Sequence, residues 1–213
     1  MSDTSAIGTP PAAARGAAVA FIFVTILLDM FALGLIMPIL PKLVESFVDN
    51  DTARAARIFG LFGTAWALMQ FFFSPILGSL SDRFGRRPVV LLSNFGLGLD
   101  YVLMALAPSL IWLFVGRVIS GITSASISTA FAYIADITPA EKRAAVFGKV
   151  GAAFGAGFIL GPAIGGLLGD ADPRLPFWVA AGLSFANTIY GLLILPESLP
   201  RDQIGRASCR ERV

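Results

Sequence analysis

Apolar residues in this chain come in long runs, and polar residues gather between them. Six runs approach or exceed the roughly 20 residues that carry a helix across a bilayer. They cover 17–40, 58–78, 88–107, 110–133, 144–168 and 177–195. This pattern predicts an all-α membrane protein of six transmembrane helices. The first sixteen residues, 1–16, are small, polar and proline-rich, and are expected to form a disordered cytoplasmic N-terminus. A secretory leader is not expected: no compact A-x-A site follows the first run, which carries Asp29 and continues to Pro38 and Pro41.

The basic residues between the runs set the orientation. With the N-terminus inside, the inner segments hold Arg15, Arg83, Arg86, Arg87, Lys142, Arg143 and Arg201, with Lys149 close by. The outer segments hold Lys42, Arg54, Arg57 and Arg174. That bias predicts a cytoplasmic N-terminus. It also puts the polar stretch GSLSDRFGRRPV, residues 78–89, on the cytoplasmic side between the second and third runs.

Composition supports a lipid-facing chain. Of 213 residues, 56% are hydrophobic and 14% charged, against about 25% charged in a soluble domain. There is no histidine, and the one cysteine is Cys209. A disulfide framework, a Cys/His metal site and histidine general-base chemistry are thereby excluded. The net charge of +2 comes from the last eleven residues, QIGRASCRERV; without them the chain has 13 basic and 13 acidic side chains. No nucleic-acid partner is indicated.

Small residues mark faces where helices meet, because lipid gives no hydrophobic push between them. The second run carries Gly60, Gly63, Ala67, Ser74 and Gly78 at helical steps and is expected to pack through them. Gln70 on that stripe is either a helix–helix hydrogen bond or a ligand contact. The fifth run reads GKVGAAFGAGFILGPAIGG over 148–166. Gly157, Gly161 and Gly165 make two successive GxxxG steps, and Pro162 removes a backbone hydrogen bond. A bent helix with a very close neighbour is expected there.

Three charges lie within apolar runs: Asp29, Asp100 and Arg117. Such groups cost a few kcal/mol in the hydrocarbon region and usually face the bundle interior. They read either as a structural ion pair or as a polar pathway that binds a proton or a substrate. The pathway reading is favoured, because three charges do not cancel as one pair. Intramembrane proteolysis is not expected: GLGLD, 96–100, has an extra leucine compared with the Gly-x-Gly-Asp arrangement, and a partner motif is missing. No enzymatic activity is predicted.

Together these residues resemble the N-terminal half of a major facilitator superfamily transporter over 17–200. GSLSDRFGRR, 78–87, is similar to that family's signature between its second and third helices. Arg117 with Gly121, in LFVGRVISGITSA, is similar to the fourth-helix motif linked to proton coupling. Gly148, Gly157, Gly161, Pro162, Gly165 and Gly166 resemble the antiporter motif of drug/proton exchangers. Within the family, LDMFALGLIMPILP around Asp29, ALMQF, LDY at Asp100, AYIADIT at Asp136 and LPES at Glu197 are similar to the tetracycline-efflux group.

The resemblance implies the N-terminal half of a twelve-helix fold, itself a 3+3 inverted repeat. It implies a multi-pass protein of a bacterial inner membrane that exports a tetracycline-like drug, with or without a chelated metal ion, against protons. No cofactor is implied beyond the proton gradient. Asp29, Gln70, Asp100 and Arg117 would line the transport and proton pathway. Gly78, Asp82, Arg83, Gly85, Arg86, Arg87 and Asp136 would form a cytoplasmic gate, with Asp82, Arg86 and Asp136 as its charge cluster. The implied partners are membrane lipid, protons, the drug and a missing C-terminal six-helix half. Residues 203–213 resemble translated read-through of a sequencing adapter and are expected to be foreign to the fold. The alternative is a non-transporting or homodimeric six-helix membrane protein with a scaffold or interaction role.

Overall fold

The structure is a computed structural model that describes residues 12–123 and 126–195. Eight helices lie among the described residues: α1 (Ala12–Ile36), α2 (Ile39–Ser46), α3 (Thr52–Phe84), α4 (Arg86–Leu106), α5 (Leu110–Thr123), α6 (Ser126–Ile137), α7 (Ala140–Ala171) and α8 (Leu175–Ile194). They make six candidate membrane spans, α1 with α2 and α5 with α6 each counting as one. Helix α1 starts at Ala12, so residues 12–16, expected to lie outside the first helix, are helical. Residues 1–11, the tail 203–213, Glu197 and Arg201 lie outside the described residues.

Two helices run well beyond the apolar stretches. Helix α3 has 33 residues and α7 has 32. At 1.5 Å per residue each is about 50 Å long, against a hydrocarbon core of about 30 Å. Each break has a local cause. Pro38, which lacks an N–H, separates α1 from α2. Asp51 caps α3 by accepting from the Arg54 backbone N–H at 2.9 Å. Only Gly85 separates α3 from α4; its φ of 102° is in the region that favours glycine.

Three pairings build the bundle: α1 on α7, α3 on α5, and α4 on α8, with α1 also packed on α8. Along the first two pairings residue numbers rise together (Leu27 with Gly157 and Gly34 with Gly161; Phe62 with Phe114 and Trp66 with Gly121), so those helices are parallel. The third is antiparallel, since Gly98 meets Phe185 and Gly191 meets Leu91. Exchanging spans one to three with spans four to six turns the one–five contact into the four–two contact and leaves the three–six contact in place. This is the pairing expected of a 3+3 inverted repeat.

Two apolar clusters fill the interior. One, around Leu35, Ile39, Tyr101, Met104 and Phe177, lies toward the Asp51 face. The other, around Phe21, Ile26, Val90, Tyr133 and Ile134, lies toward the Gly85 face. Arginines tie the helix ends by donating to carbonyls that have no helical partner. Arg174 bonds Ala105 O and Ala107 O at the end of α4. Arg143 bonds Ala135 O and Thr138 O at the end of α6. Arg87 bonds Leu192 O in the last turn of α8.

The fifth-run glycines pack as expected. A methyl group at Gly161 would stand 2.6 Å from the Gly34 Cα, and one at Gly157 would stand 2.8 Å from Leu27 O. One at Gly165 would collide with the Leu35 carbonyl. Gly148 and Gly166 face open space, and Pro162 sits inside an α7 that runs unbroken across it. The second-run stripe differs from expectation: nothing lies within 4 Å of a methyl group at Gly60, Gly63 or Gly78. Contact between α3 and α5 is made through a glycine on the other helix, Gly121, which abuts Trp66 and Met69.

Gly161→Leu should destabilise the bundle in detergent by about 1–3 kcal/mol, because backbone cannot yield as a side chain does. A fall in the thermal midpoint reads it. Gly148→Leu, on the open side of the same helix, should leave the midpoint unchanged. Equal effects from both would remove the α1 contact as the cause.

Candidate functional site

The stretch 78–87 is almost wholly helical. Gly78 to Phe84 end α3, Arg86 and Arg87 begin α4, and the turn between them is a single glycine. So sharp a turn brings Arg86 back beside the last turn of its predecessor. Its Nη1 lies 2.9 Å from Asp82 Oδ1 and 2.9 Å from Ser81 Oγ. Its Nε donates to Asp136 Oδ2 at 3.0 Å, across to α6. Ser81 in turn donates to the Gly78 carbonyl at 2.7 Å. One guanidinium therefore holds three helices together at the Gly85 face, and this brings together the predicted trio Asp82, Arg86 and Asp136. Arg87 points instead to α8, and Arg83 lies over its neighbour Phe84 with 5.3 Å to the ring centroid. Gly85 serves the turn, while Gly78 lines an open groove rather than a close helix contact.

Asp29, Asp100 and Arg117 are 8%, 1% and 7% exposed. They do not form the structural ion pair that was one reading of them. Among the described residues the ion pairs join Lys42 to Asp170 and Arg86 to Asp82 and Asp136. Arg117 donates through Nη2 to the Met104 thioether at 3.2 Å, a weak acceptor, and its buried Nε has no partner. Both Asp100 oxygens are buried and make no hydrogen bond of good geometry, although the Ser120 side chain lies close to the carboxylate. Asp100 Oδ1 lies 2.9 Å from where a Gly116 methyl would stand, so a side chain there would crowd it.

Two hollows follow one another along α3. A cavity of about 210 Å³ between α1 and α3 has Arg117 in its wall with Phe62, Gly63 and Trp66. An open groove of about 670 Å³ between α3 and α6 is lined by Gln70, Ser74, Gly78, Arg86, Ser128 and Thr129. The stripe Gly63, Gln70, Ser74 and Gly78 is therefore a wall of open space. The four predicted pathway residues are divided: Arg117 lines the cavity, Gln70 lines the groove, and Asp29 and Asp100 line neither.

Sequence reasoning missed several polar groups in the same layers. Asn94 is fully buried, and neither amide atom has a partner. Thr25 donates to Asn187 Oδ1 at 3.1 Å between α1 and α8. A lone amide inside an apolar run is the signal that picked out Gln70, and it applies equally to Asn94. Met104 and Gly116 gave no signal, because a thioether and a glycine are ordinary inside a membrane helix.

The family profile described as Major Facilitator Superfamily matches residues 22–210. Tetracycline resistance protein, class C, of Escherichia coli is 47% identical over 174 residues, covering 82% of this chain and 43% of that protein. Tetracycline resistance protein, class D, of Salmonella ordonez is 49% identical over 177 residues, covering 83% and 44%. The crystal structure of the human organic anion transporter MFSD10 (TETRAN) superposes with a TM-score of 0.81 at 28% identity, covering 91% of this chain and 50% of that one. The chain thus spans less than half the length of the curated relatives it matches.

The Arg86 tie makes a measurable claim on stability. Arg86→Gln and Asp136→Asn should each lower the thermal midpoint in detergent. The double variant should lose less than the sum, with a coupling of about 1 kcal/mol. Strictly additive losses would mean that the two groups do not hold each other.

Proposed function

The chain belongs to the Major Facilitator Superfamily, and from that premise we propose that it is the N-terminal six-helix unit of a proton-coupled exporter of tetracycline-like drugs. It sits in a bacterial inner membrane with its N-terminus in the cytoplasm. The observation that carries this reading is the set of intramembrane charges, Asp29, Asp100 and Arg117, buried in the spans with no ion pair among them. A purely structural bundle gains by pairing or removing such groups. A carrier needs groups whose charge is answered by something that arrives and leaves, a proton or a cargo molecule.

The working transporter needs a second six-helix bundle. The identity of almost half to tetracycline resistance proteins nearly twice as long supports this. So do the open faces of α3 and of α7 at Gly148 and Gly166. The two bundles would rock about a site between them. The Asp82, Arg86 and Asp136 cluster would close the cytoplasmic end when the carrier faces outward. Each proton moving down a 100 mV potential would supply about 2.3 kcal/mol, and no cofactor is needed.

Everted vesicles test the reading directly. Vesicles holding this chain together with the C-terminal half of the class D relative should take up tetracycline when acidified inside. Vesicles with this chain alone should not. Arg117→Ala and Asp29→Asn should each abolish most of that uptake at equal protein level. Undiminished uptake by both variants would leave the charges a structural role only. Uptake by the chain alone would favour a homodimeric six-helix transporter.

Orientation has its own test. In a Cys209→Ser background, Phe84→Cys should resist an impermeant thiol reagent added to intact cells, and Thr52→Cys should react. The opposite pattern would invert the topology.

A further inference from the structure

A layer of uncharged polar groups lies inside the bundle and lines neither hollow along α3. On α4, Asn94 is fully buried, and on α8, Asn187 is 1% exposed. The Asn187 carbonyl oxygen accepts from the Thr25 hydroxyl of α1 at 3.1 Å. Its amide nitrogen is buried and has no hydrogen-bond partner. On Asn94 both the amide nitrogen and the amide oxygen are in that condition.

The packing of α4 on α8 sets the two amides at one level. Leu91 meets Gly191, and Gly98 meets Phe185. Asn94 stands on the same stripe of α4, three residues after Leu91 and four before Gly98. Midway along the facing segment of α8 is Thr188, next to Asn187. Thr188 spends its hydroxyl proton on the Ser184 carbonyl at 2.9 Å. The layer therefore holds two amide nitrogens that must donate and one amide oxygen that must accept. A direct bond from Asn187 Nδ2 to Asn94 Oδ1 would still leave the Asn94 nitrogen without an acceptor, which is costly in an apolar interior. The groups are uncharged, so an ion would enter without a counter-charge. A small neutral molecule that both donates and accepts fits this inventory.

We propose that Asn94 and Asn187 hold an internal water molecule that joins α4 to the α1–α8 pair. The water accepts from the two amide nitrogens and donates to Asn94 Oδ1. That makes three hydrogen bonds, the usual number for a buried water. Through Asn187 the bonds continue to Thr25, so spans one, three and six share one network. The site does not depend on what the chain transports.

Magic-angle-spinning NMR of the full 213-residue chain in lipid bilayers tests this. The chain has three asparagines, Asn50, Asn94 and Asn187, so labelling asparagine alone with nitrogen-15 gives three side-chain amides to follow. Asn50, exposed in the turn between α2 and α3, reports bulk water. Magnetisation passed from water protons should also reach the Asn94 and Asn187 amides, which bulk water scarcely touches. Asn94→Leu should abolish the water signal at Asn187 and leave that at Asn50 unchanged. Absence of a water signal at both buried amides would overturn the proposal. So would a direct contact between the two amides without a water signal, or a signal at Asn187 that survives Asn94→Leu. Should Asn94→Leu fail to fold, the parent spectrum decides, because the bridge requires a water signal at Asn94 and Asn187 alike.

Discussion

Two helices surrounded by lipid gain nothing by hiding apolar side chains from it, because the tails they leave are as apolar as the partner they meet. What holds them is close contact between backbones, and close contact requires that no side chain stand between. In this chain that condition is met most fully where α1 lies along α7. Gly157, Gly161 and Gly165 each present bare backbone to the Leu27–Leu35 stretch, and Gly34 answers from the other side. The rest of the bundle hangs on this pair: α8 packs against α1, α4 against α8, and α5 against α4.

The same solvent makes polar groups expensive, and the protein deals with them in two ways. At several helix ends arginines satisfy them. Arg87, Arg143 and Arg174 each reach back to carbonyls in the last turn of a neighbouring or preceding helix. Arg86 gathers Asp82, Ser81 and Asp136 at the single-glycine turn between α3 and α4. Between the ends it leaves them open. Asn94 and the Arg117 Nε are buried and lack partners among the described residues, and the buried Asp100 carboxylate has only Ser120 close by.

Helix α3 shows how far a surface can stay open in a folded unit. Of its 33 residues only Ala55, Phe62 and Ser81 are buried. Its large apolar residues, Leu61, Leu68, Phe71 and Phe72 among them, are exposed. Its glycine stripe walls a cavity and a groove instead of meeting a neighbour. Such a helix is held mainly by α5 and by the Arg86 turn, so its long open face is free to meet lipid, cargo or another bundle.

Much of this was legible in the sequence. The six spans followed from hydropathy, since hydrocarbon thickness fixes how many apolar residues a crossing needs. The charge trio at the Gly85 turn followed from its family signature, and the tight face of α7 followed from glycines at four-residue steps. Asp29, Asp100 and Arg117 were visible because a charge in an apolar run is rare and costly. The partners were not legible. Helical periodicity says which residues share a face, but not what stands opposite that face. The glycine stripe of α3 and that of α7 look alike as strings, yet one walls open space and the other grips α1. Whether three buried charges pair or stay apart depends on distances between α1, α4 and α5, and only the packed bundle sets these. Met104 beneath Arg117 and Gly116 beside Asp100 carry no sequence signal, because their importance comes from the neighbours that tertiary structure brings to them.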